Sequence, residues 1–311
     1  MKKEDYWDIS NRPSTMTKLE ILRGVIDVWL NAWRIQEWAS NEWYIIDLFA
    51  GRGYYKNGES GSPIIYLEKI NERKDLFNKN IKIKLFFVEI DSKNFNLLKK
   101  NVEDYININK LNNIIDVNLF NDDCNEIIYN ILSKIENSNR NPLFVLIDPT
   151  GIKISKNTIE KILNLNNRKD ILFNYILEGV RRTMGVFKKA QDGEELNVRE
   201  VGTIETLSDF FGNDINIKNK DGLEIKDDLE ILEYFIGTSF MSKGLEVVAC
   251  DIGYPNRNDI LYYLLFATKR ENILKRIASI YKREKNRDKP SLFGPKFYEV
   301  LYFKKEYENN S

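Results

Sequence analysis

Four acids stand where apolar runs end, and their placement is what the rest of the chain has to organise. Asp47 closes the run YIID and is followed by Leu48, Phe49, Ala50 and a Gly51-x-Gly53 pair. Glu89 follows IKIKLFFV, Asp123 ends the stretch NDD, and Asp148-Pro149 closes PLFVLI. An apolar run that ends on an acid and enters closely spaced glycines must leave a buried strand and turn sharply with its backbone uncovered. In doubly wound α/β folds this is the first strand-to-turn junction, and ligands bind at the carboxyl ends of the strands. The pattern points to a nucleotide-like ligand, although a tight strand-helix turn without a ligand satisfies it too. Glu89, at the end of a second strand, suits both hydroxyls of a ribose; a solvated strand end would look the same.

What is missing narrows the chemistry. The chain has no histidine, which removes Ser-His-Asp and Cys-His catalysis and histidine metal sites together. Two cysteines, Cys124 and Cys250, cannot build a cysteine-rich zinc site, and no metal is expected. The dinucleotide pattern G-x-G-x-x-G is incomplete because Tyr54 and Tyr55 follow Gly53, and no Walker sequence is present. With 42% hydrophobic and 30% charged residues, the 311-residue chain reads as globular. Lys+Arg and Asp+Glu are equal at 47 each, so any nucleic-acid surface must be local. No apolar run is long enough to span a bilayer, and MKKEDYWD lacks the apolar core of a secretory signal, so a cytoplasmic protein without membrane contact is expected.

The remaining segments must position these acids. Leu19, Leu22, Ile26, Trp29, Leu30 and Trp33 recur at helical spacing before the first strand. Thr17 and Lys18, at the start of that helix, read as a solvated first turn. Ser62 and Pro63 form a cap-plus-proline helix start behind Gly58 and Gly61, and such a loop can hold a carboxylate or phosphate or merely connect. A third strand is expected near Ile114 to Phe120, and a fifth over DILFNYILEGVRR, carrying Asn174 and Glu178 to the rim of the acids. Residues 180–243 mix a basic cluster (Arg181, Arg182, Lys188, Lys189) with acidic runs, which reads as a helical insertion for specificity or partners, or as a solvated decoration. Two β-rich runs, LEVVACDIGY and DILYYLLFATK, follow around a Pro-Asn-Arg-Asn loop. A helix from about Glu271 to Lys285 ends in YKREKNRDK, a basic run beside Tyr281 and Phe293 that is a solvated tail or a nucleic-acid contact.

An acid followed by F-A-G-x-G resembles motif I of S-adenosylmethionine-dependent methyltransferases. Taken together, TMTKLEIL, YIIDLFAGRGYY, GESGSPII, FFVEID, DCNEII, LFVLIDPTG and YYLLFATKRENILKRI resemble the three-Cys-motif partner protein family, TcmP. The resemblance implies S-adenosyl-L-methionine as cofactor, with Asp47, Phe49, Ala50, Gly51 and Gly53 at its methionine end. Glu89 would take the ribose, Asp123 with Cys124 the adenine, and Asp148 and Pro149 would face the substrate as the catalytic pair. In amino-group methyltransferases the corresponding motif is Asn or Asp-Pro-Pro-aromatic, whose side-chain oxygen accepts from the target amine; here Thr150 and Gly151 replace its last two positions. Neither cysteine follows a proline, which sets aside cytosine-C5 chemistry. The expected fold is α/β: a class I methyltransferase, Rossmann-like, seven-stranded and mostly parallel sheet with a terminal β-hairpin and a helical insertion. Its parts are an N-terminal helical segment (1–40), the Rossmann-like core (41–179), the insertion (180–243) and a segment (244–311) holding the hairpin and a basic C-terminal helix and tail. The expected function is methylation of an exocyclic amine in DNA or RNA. The alternatives are an accessory protein of this fold working with a three-Cys-motif partner, and a small-molecule or protein methyltransferase.

Overall fold

Along each central strand, side chains alternate between two apolar layers, and this period of two decides which helices go to which face. In β1 (Glu42–Asp47), Trp43 and Ile45 enter one layer while Tyr44 and Ile46 enter the other. In β4 (Pro142–Ile147), Phe144 and Leu146 oppose Leu143, Val145 and Ile147 in the same way. A computed structural model describes residues 13–77, 80–212, 227–253, 259–286 and 300–304.

The sheet has the order β3-β2-β1-β4-β5-β7-β6-β8, with β2 (Lys82–Val88), β3 (Ile115–Phe120), β5 (Arg168–Tyr175), β6 (Glu246–Gly253), β7 (Ile260–Thr268) and β8 (Val300–Phe303). Strands β1 to β5 are parallel, and β7 slots antiparallel between β5 and β6. This is the Rossmann-like sheet of the class I methyltransferase fold, closed by a hairpin as expected. It carries one strand more than expected, because β8 pairs antiparallel with β6 in the segment read as a basic tail. The direction of strand progression reverses between β1 and β4, so a crevice opens at their carboxyl ends. Asp47, paired with Leu146 in register, and Asp148 both stand there.

One layer holds α1 (Pro13–Arg34), α2 (Ser62–Asn71), α3 (Ser92–Asn109) and α9 (Glu271–Asn286). Trp29 meets Trp43 and Phe144 edge-on at 5.9 Å, and Tyr66 stacks on Phe87, which seats α1 and α2 against the sheet. The other layer holds α4 (Cys124–Ser133), α5 (Lys156–Leu163), α6 (Leu177–Gln191), α7 (Val198–Phe211) and α8 (Asp228–Ser239). Phe210 of α7 stacks on Phe235 of α8 at 4.9 Å, and both reach Phe173 and Tyr175 of β5. Helices α7 and α8 are therefore part of the second core, not a solvated decoration. The fifth strand stops at Tyr175, and Glu178 lies in the first turn of α6 instead of on the strand rim. The apolar residues Tyr175, Ile176 and Leu177 run across that boundary and concealed it, since a buried strand and a buried helix start look alike. The Pro-Asn-Arg-Asn loop, Phe293 and the end of the basic run lie outside the described residues.

Candidate active site at the carboxyl ends of β1 and β4

The turn after β1 is tied to both neighbouring strands. The Leu48 N–H donates to the Leu146 carbonyl at 3.2 Å, and the Ala50 N–H to the Val88 carbonyl at 2.9 Å. Gly51 and Gly53 then adopt φ of 67° and 92°, the left-handed region that side chains resist. The Gly61 N–H donates to the Gly53 carbonyl at 2.6 Å, and a Cβ on Gly61 would stand 2.8 Å from that oxygen, so only glycine lets the two loops meet. Arg23 of α1 pairs with Glu59 at 3.0 Å and with Glu68, while the Ser60 hydroxyl donates to Glu68 at 2.6 Å. These contacts hold the 54–60 loop and α2 under α1.

Above this turn lies a cavity of about 510 Å³, walled by Leu19 and Leu22 of α1, the glycine turn and the ends of β2 and β4. Phe49, Ala50, Gly51, Gly53, Glu89, Asp123, Cys124 and Asp148 all line it. Asp47 and Pro149 are buried and do not reach its wall. A wider depression of about 810 Å³ adjoins it at Asp123, walled by polar residues of α4, α5 and α7, but it lacks the glycine turn.

Each acid has its own environment. Asp47 is fully buried, and burial pushes its carboxyl up to about 7; the Ser62 side chain and the Phe49 N–H oppose the shift, while Asp148 and Glu89 add to it. Its Oδ2 is buried without a hydrogen-bond partner. Ser62 thus serves Asp47, whereas Gly61 occupies the N-cap of α2 and no side chain caps that helix. Glu89 is half-buried and its carboxyl is raised by burial, against hydrogen bonds from the backbone N–H groups of Asp91, at 2.7 Å, and Gly51. Asp123 is the N-cap of α4, accepting from the Asn125 N–H at 2.7 Å. Burial, with Asp123 adding to it, pushes the Cys124 thiol up to about 12, so it remains a thiol at neutral pH.

Asp148 has the most consequential neighbours. Its Oδ2 pairs with Lys18 Nζ at 2.5 Å, and its Oδ1 accepts from Asn174 Nδ2 at 2.7 Å. Lys18 lines the cavity and Thr17 is buried, which corrects the expectation of a solvated first turn. The sequence offered no local signal for this pair, since its members lie 130 residues apart. Asn174, expected near the rim, is buried and reaches Asp148 directly.

The residues present fit S-adenosylmethionine. The glycine turn, with Gly51 and Gly53 at positive φ, lies on the cavity wall, a carboxylate stands at the end of β2, and Asp47 keeps a buried oxygen without a hydrogen bond. The acids Glu89, Asp122, Asp123 and Asp148 outnumber the lysines Lys18 and Lys153 on the wall, which favours a ligand carrying cationic groups.

Strand order and crevice together define the class, a methyltransferase-like Rossmann fold with a cavity at the switch point. In overall shape the chain is similar to a Legionella pneumophila protein with a TM-score of 0.48 and 10% identity, over 91% of this chain and 96% of that one. It is also similar to Trm1 from Pyrococcus horikoshii, solved with S-adenosyl-L-methionine (TM-score 0.37, 10% identity, 85% of this chain and 58% of that one). A third is precorrin-6y C5,15-methyltransferase from Geobacter metallireducens (TM-score 0.34, 11% identity, 79% and 87%). No protein-family model and no curated protein sequence matches the chain. Among the described residues, no helix is long and apolar enough to cross a membrane, and no cluster of acids and cysteines has metal-binding geometry.

Proposed function

We propose that this chain is a TcmP-like S-adenosylmethionine-dependent methyltransferase acting on an exocyclic amine of a nucleic-acid base. The observation that carries this reading is the placement of Asp148 on the wall of the cavity that also contains the Gly51–Gly53 turn, at the switch point of the sheet. When bound, S-adenosylmethionine would supply an electrophilic methyl group for in-line transfer to the amine nitrogen, its sulfur keeping the electron pair of the bond given up. The chain's own residues have three tasks. The glycine turn, Glu89 and Asp123 bind and orient the cofactor. Leu19 and Leu22, over the cavity, keep water from the reacting atoms. Asp148 accepts one N–H of the amine, aims its lone pair, and takes the proton that the nitrogen sheds.

Calorimetric titration with S-adenosylmethionine and S-adenosylhomocysteine tests the cofactor half. Micromolar binding that Asp47→Ala abolishes is the expected outcome; no binding by the unaltered chain would end the reading. Asp148→Ala is expected to slow transfer by roughly 10²–10⁴-fold with cofactor affinity nearly intact. Unchanged transfer would remove Asp148 from the mechanism.

A second reading, an accessory protein acting through a partner, draws on the engagement of both Asp148 oxygens by Lys18 and Asn174. It predicts a chain that does not transfer methyl groups until a partner protein is added.

A further inference from the structure

We propose that Lys18 and Asp148 read the target base as a pair, one donating and the other accepting, and that together they select adenine or cytosine. This inference rests on the base-amine reading above and adds to it the identity of the base. Lys18 Nζ and Asp148 Oδ2 are 2.5 Å apart on one wall of the cavity, so a base edge that meets the carboxylate meets the ammonium as well. A carboxylate offers about four acceptor positions, of which Lys18 and Asn174 engage two, and acceptor capacity remains for an incoming amine. Asn174, buried to 3% exposure, fixes the tilt of the carboxylate. Lys18 is held at 16% side-chain exposure by α1, whose Leu19 and Leu22 form the adjoining wall.

The chemistry of the edge then decides the substrate. A flipped base is read along its Watson–Crick edge. There, adenine and cytosine carry beside their amine an unprotonated ring nitrogen, an acceptor that fits an ammonium donor. Guanine carries N1–H beside its amine, a second donor that would meet the ammonium donor-to-donor with no acceptor between them; guanine's other neighbouring nitrogen lies on the sugar edge. A side-chain pair matched to a base in this way discriminates by roughly 10- to 100-fold. Lys18 is thus a specificity-determining residue, whereas a purely electrostatic partner of Asp148 would be indifferent to the ring nitrogen.

The test compares natural RNA and DNA oligonucleotides with ones carrying 1-deazaadenine or 3-deazacytosine, which keep the amine and lose the ring acceptor. Transfer of a radiolabelled methyl group is followed, and the methylated nucleoside is identified by mass spectrometry. Expected for the unaltered chain are N6-methyladenine or N4-methylcytosine and a roughly 10- to 100-fold lower kcat/KM on the deaza substrate. Lys18→Met should lower kcat/KM on the natural substrate to a similar degree, remove most of the deaza effect, and leave S-adenosylhomocysteine affinity unchanged. Lys18→Arg should restore part of the activity. N2-methylguanine as the product, or deaza substrates methylated as fast as natural ones, would overturn the inference while leaving the methyltransferase reading intact. Faster transfer by Lys18→Met would overturn it too, showing that the ion pair merely blocks Asp148. Failure to label any base, by a chain that binds S-adenosylmethionine, would refute the base-amine reading and this inference with it. If Lys18→Met does not fold, the deaza comparison in the unaltered chain decides alone.

Discussion

Asp170, near the amino end of β5, and Asp47, at the carboxyl end of β1, are both fully buried carboxylates in one sheet, and they are provided for differently. Asp170 accepts from the Thr268 hydroxyl at 2.6 Å and pairs with the Arg270 guanidinium, which itself lies over the Trp33 ring at 4.2 Å. Burial raises its carboxyl, and Arg270 and Thr268 pull it back. Asp47 has one backbone N–H, with the Ser62 and Tyr66 side chains beside it, an oxygen without a hydrogen bond, and no cation at ion-pair distance among the described residues. A buried charge with a complete set of partners belongs to the fold, whereas one that burial leaves exposed to its cost is retained for another reason. The difference sets Asp170 among the partnered charges that hold the fold, and it is why Asp47, behind the cavity wall, is proposed to act for the ligand.

Breaking the stability side should have the largest effect. Asp170→Ala strands the Arg270 guanidinium beside Trp33 and should cost about 3–5 kcal/mol, because removing one member of a buried pair leaves the other uncompensated. Urea unfolding measures this, and cofactor affinity of the folded variant should be unchanged. A loss below about 1 kcal/mol would mean that the pair barely repays its own desolvation, and the contrast with Asp47 would collapse.

Asp47 should behave in the opposite sense. Its folded carboxyl is raised from 3.8 to about 7. Between roughly pH 4 and 7 the folded chain therefore holds a proton that the unfolded chain has released, so stability falls as pH rises through that window. Below it both forms are protonated and the contribution disappears; above it the loss is complete. Asp47→Asn mimics the neutral form. It should match the unaltered chain near pH 4 and be more stable above pH 7, by roughly 3–8 °C in Tm on a gain of a few kcal/mol. The same variant should bind S-adenosylmethionine at least ~10-fold more weakly, a trade of function against stability. Melting curves at pH 5 and 8 decide the matter: a difference that does not grow with pH would show that Asp47 titrates as an ordinary carboxyl.

The two aspartates were not equally legible. Asp47 announces itself because its neighbours in sequence are also its neighbours in the site: the apolar run before it and the glycines after it are local consequences of leaving a buried strand. The alternation that assigns Trp43 and Tyr44 to opposite layers is local in the same way, and so the sheet could be read from the sequence. Asp170 gives no such sign, because Thr268 and Arg270 come from the far end of the chain, 98 and 100 residues away. Lys18 was misread for the same reason, as a helical first turn looks solvated until a distant strand is packed beneath it. Ser62 was misjudged in a subtler way. Its position before a proline suits a cap, but the close meeting of Gly61 with the Gly53 carbonyl gives the cap to Gly61 and turns the serine to Asp47.

Asp123 sharpens the comparison with the smallest expected effect, since it belongs to both sides. Its Oδ1 caps α4 through the Asn125 N–H, a structural task, while the residue also lines the cavity where the adenine amine is proposed to sit. Asp123→Ala should cost about 1 kcal/mol, the ordinary value of an N-cap, and weaken cofactor binding besides. Asp123→Asn keeps a capping oxygen, so stability should move by only a few tenths of a kcal/mol. Asparagine can also accept from an amine, but it lacks the charge that strengthens that bond, by a factor of about two between charged and neutral acceptors. A several-fold loss of S-adenosylhomocysteine affinity in Asp123→Asn, with the melting temperature unchanged, would separate the two tasks within one side chain. Affinity that follows stability through both variants would show that Asp123 serves the cofactor only by holding the start of α4 in place.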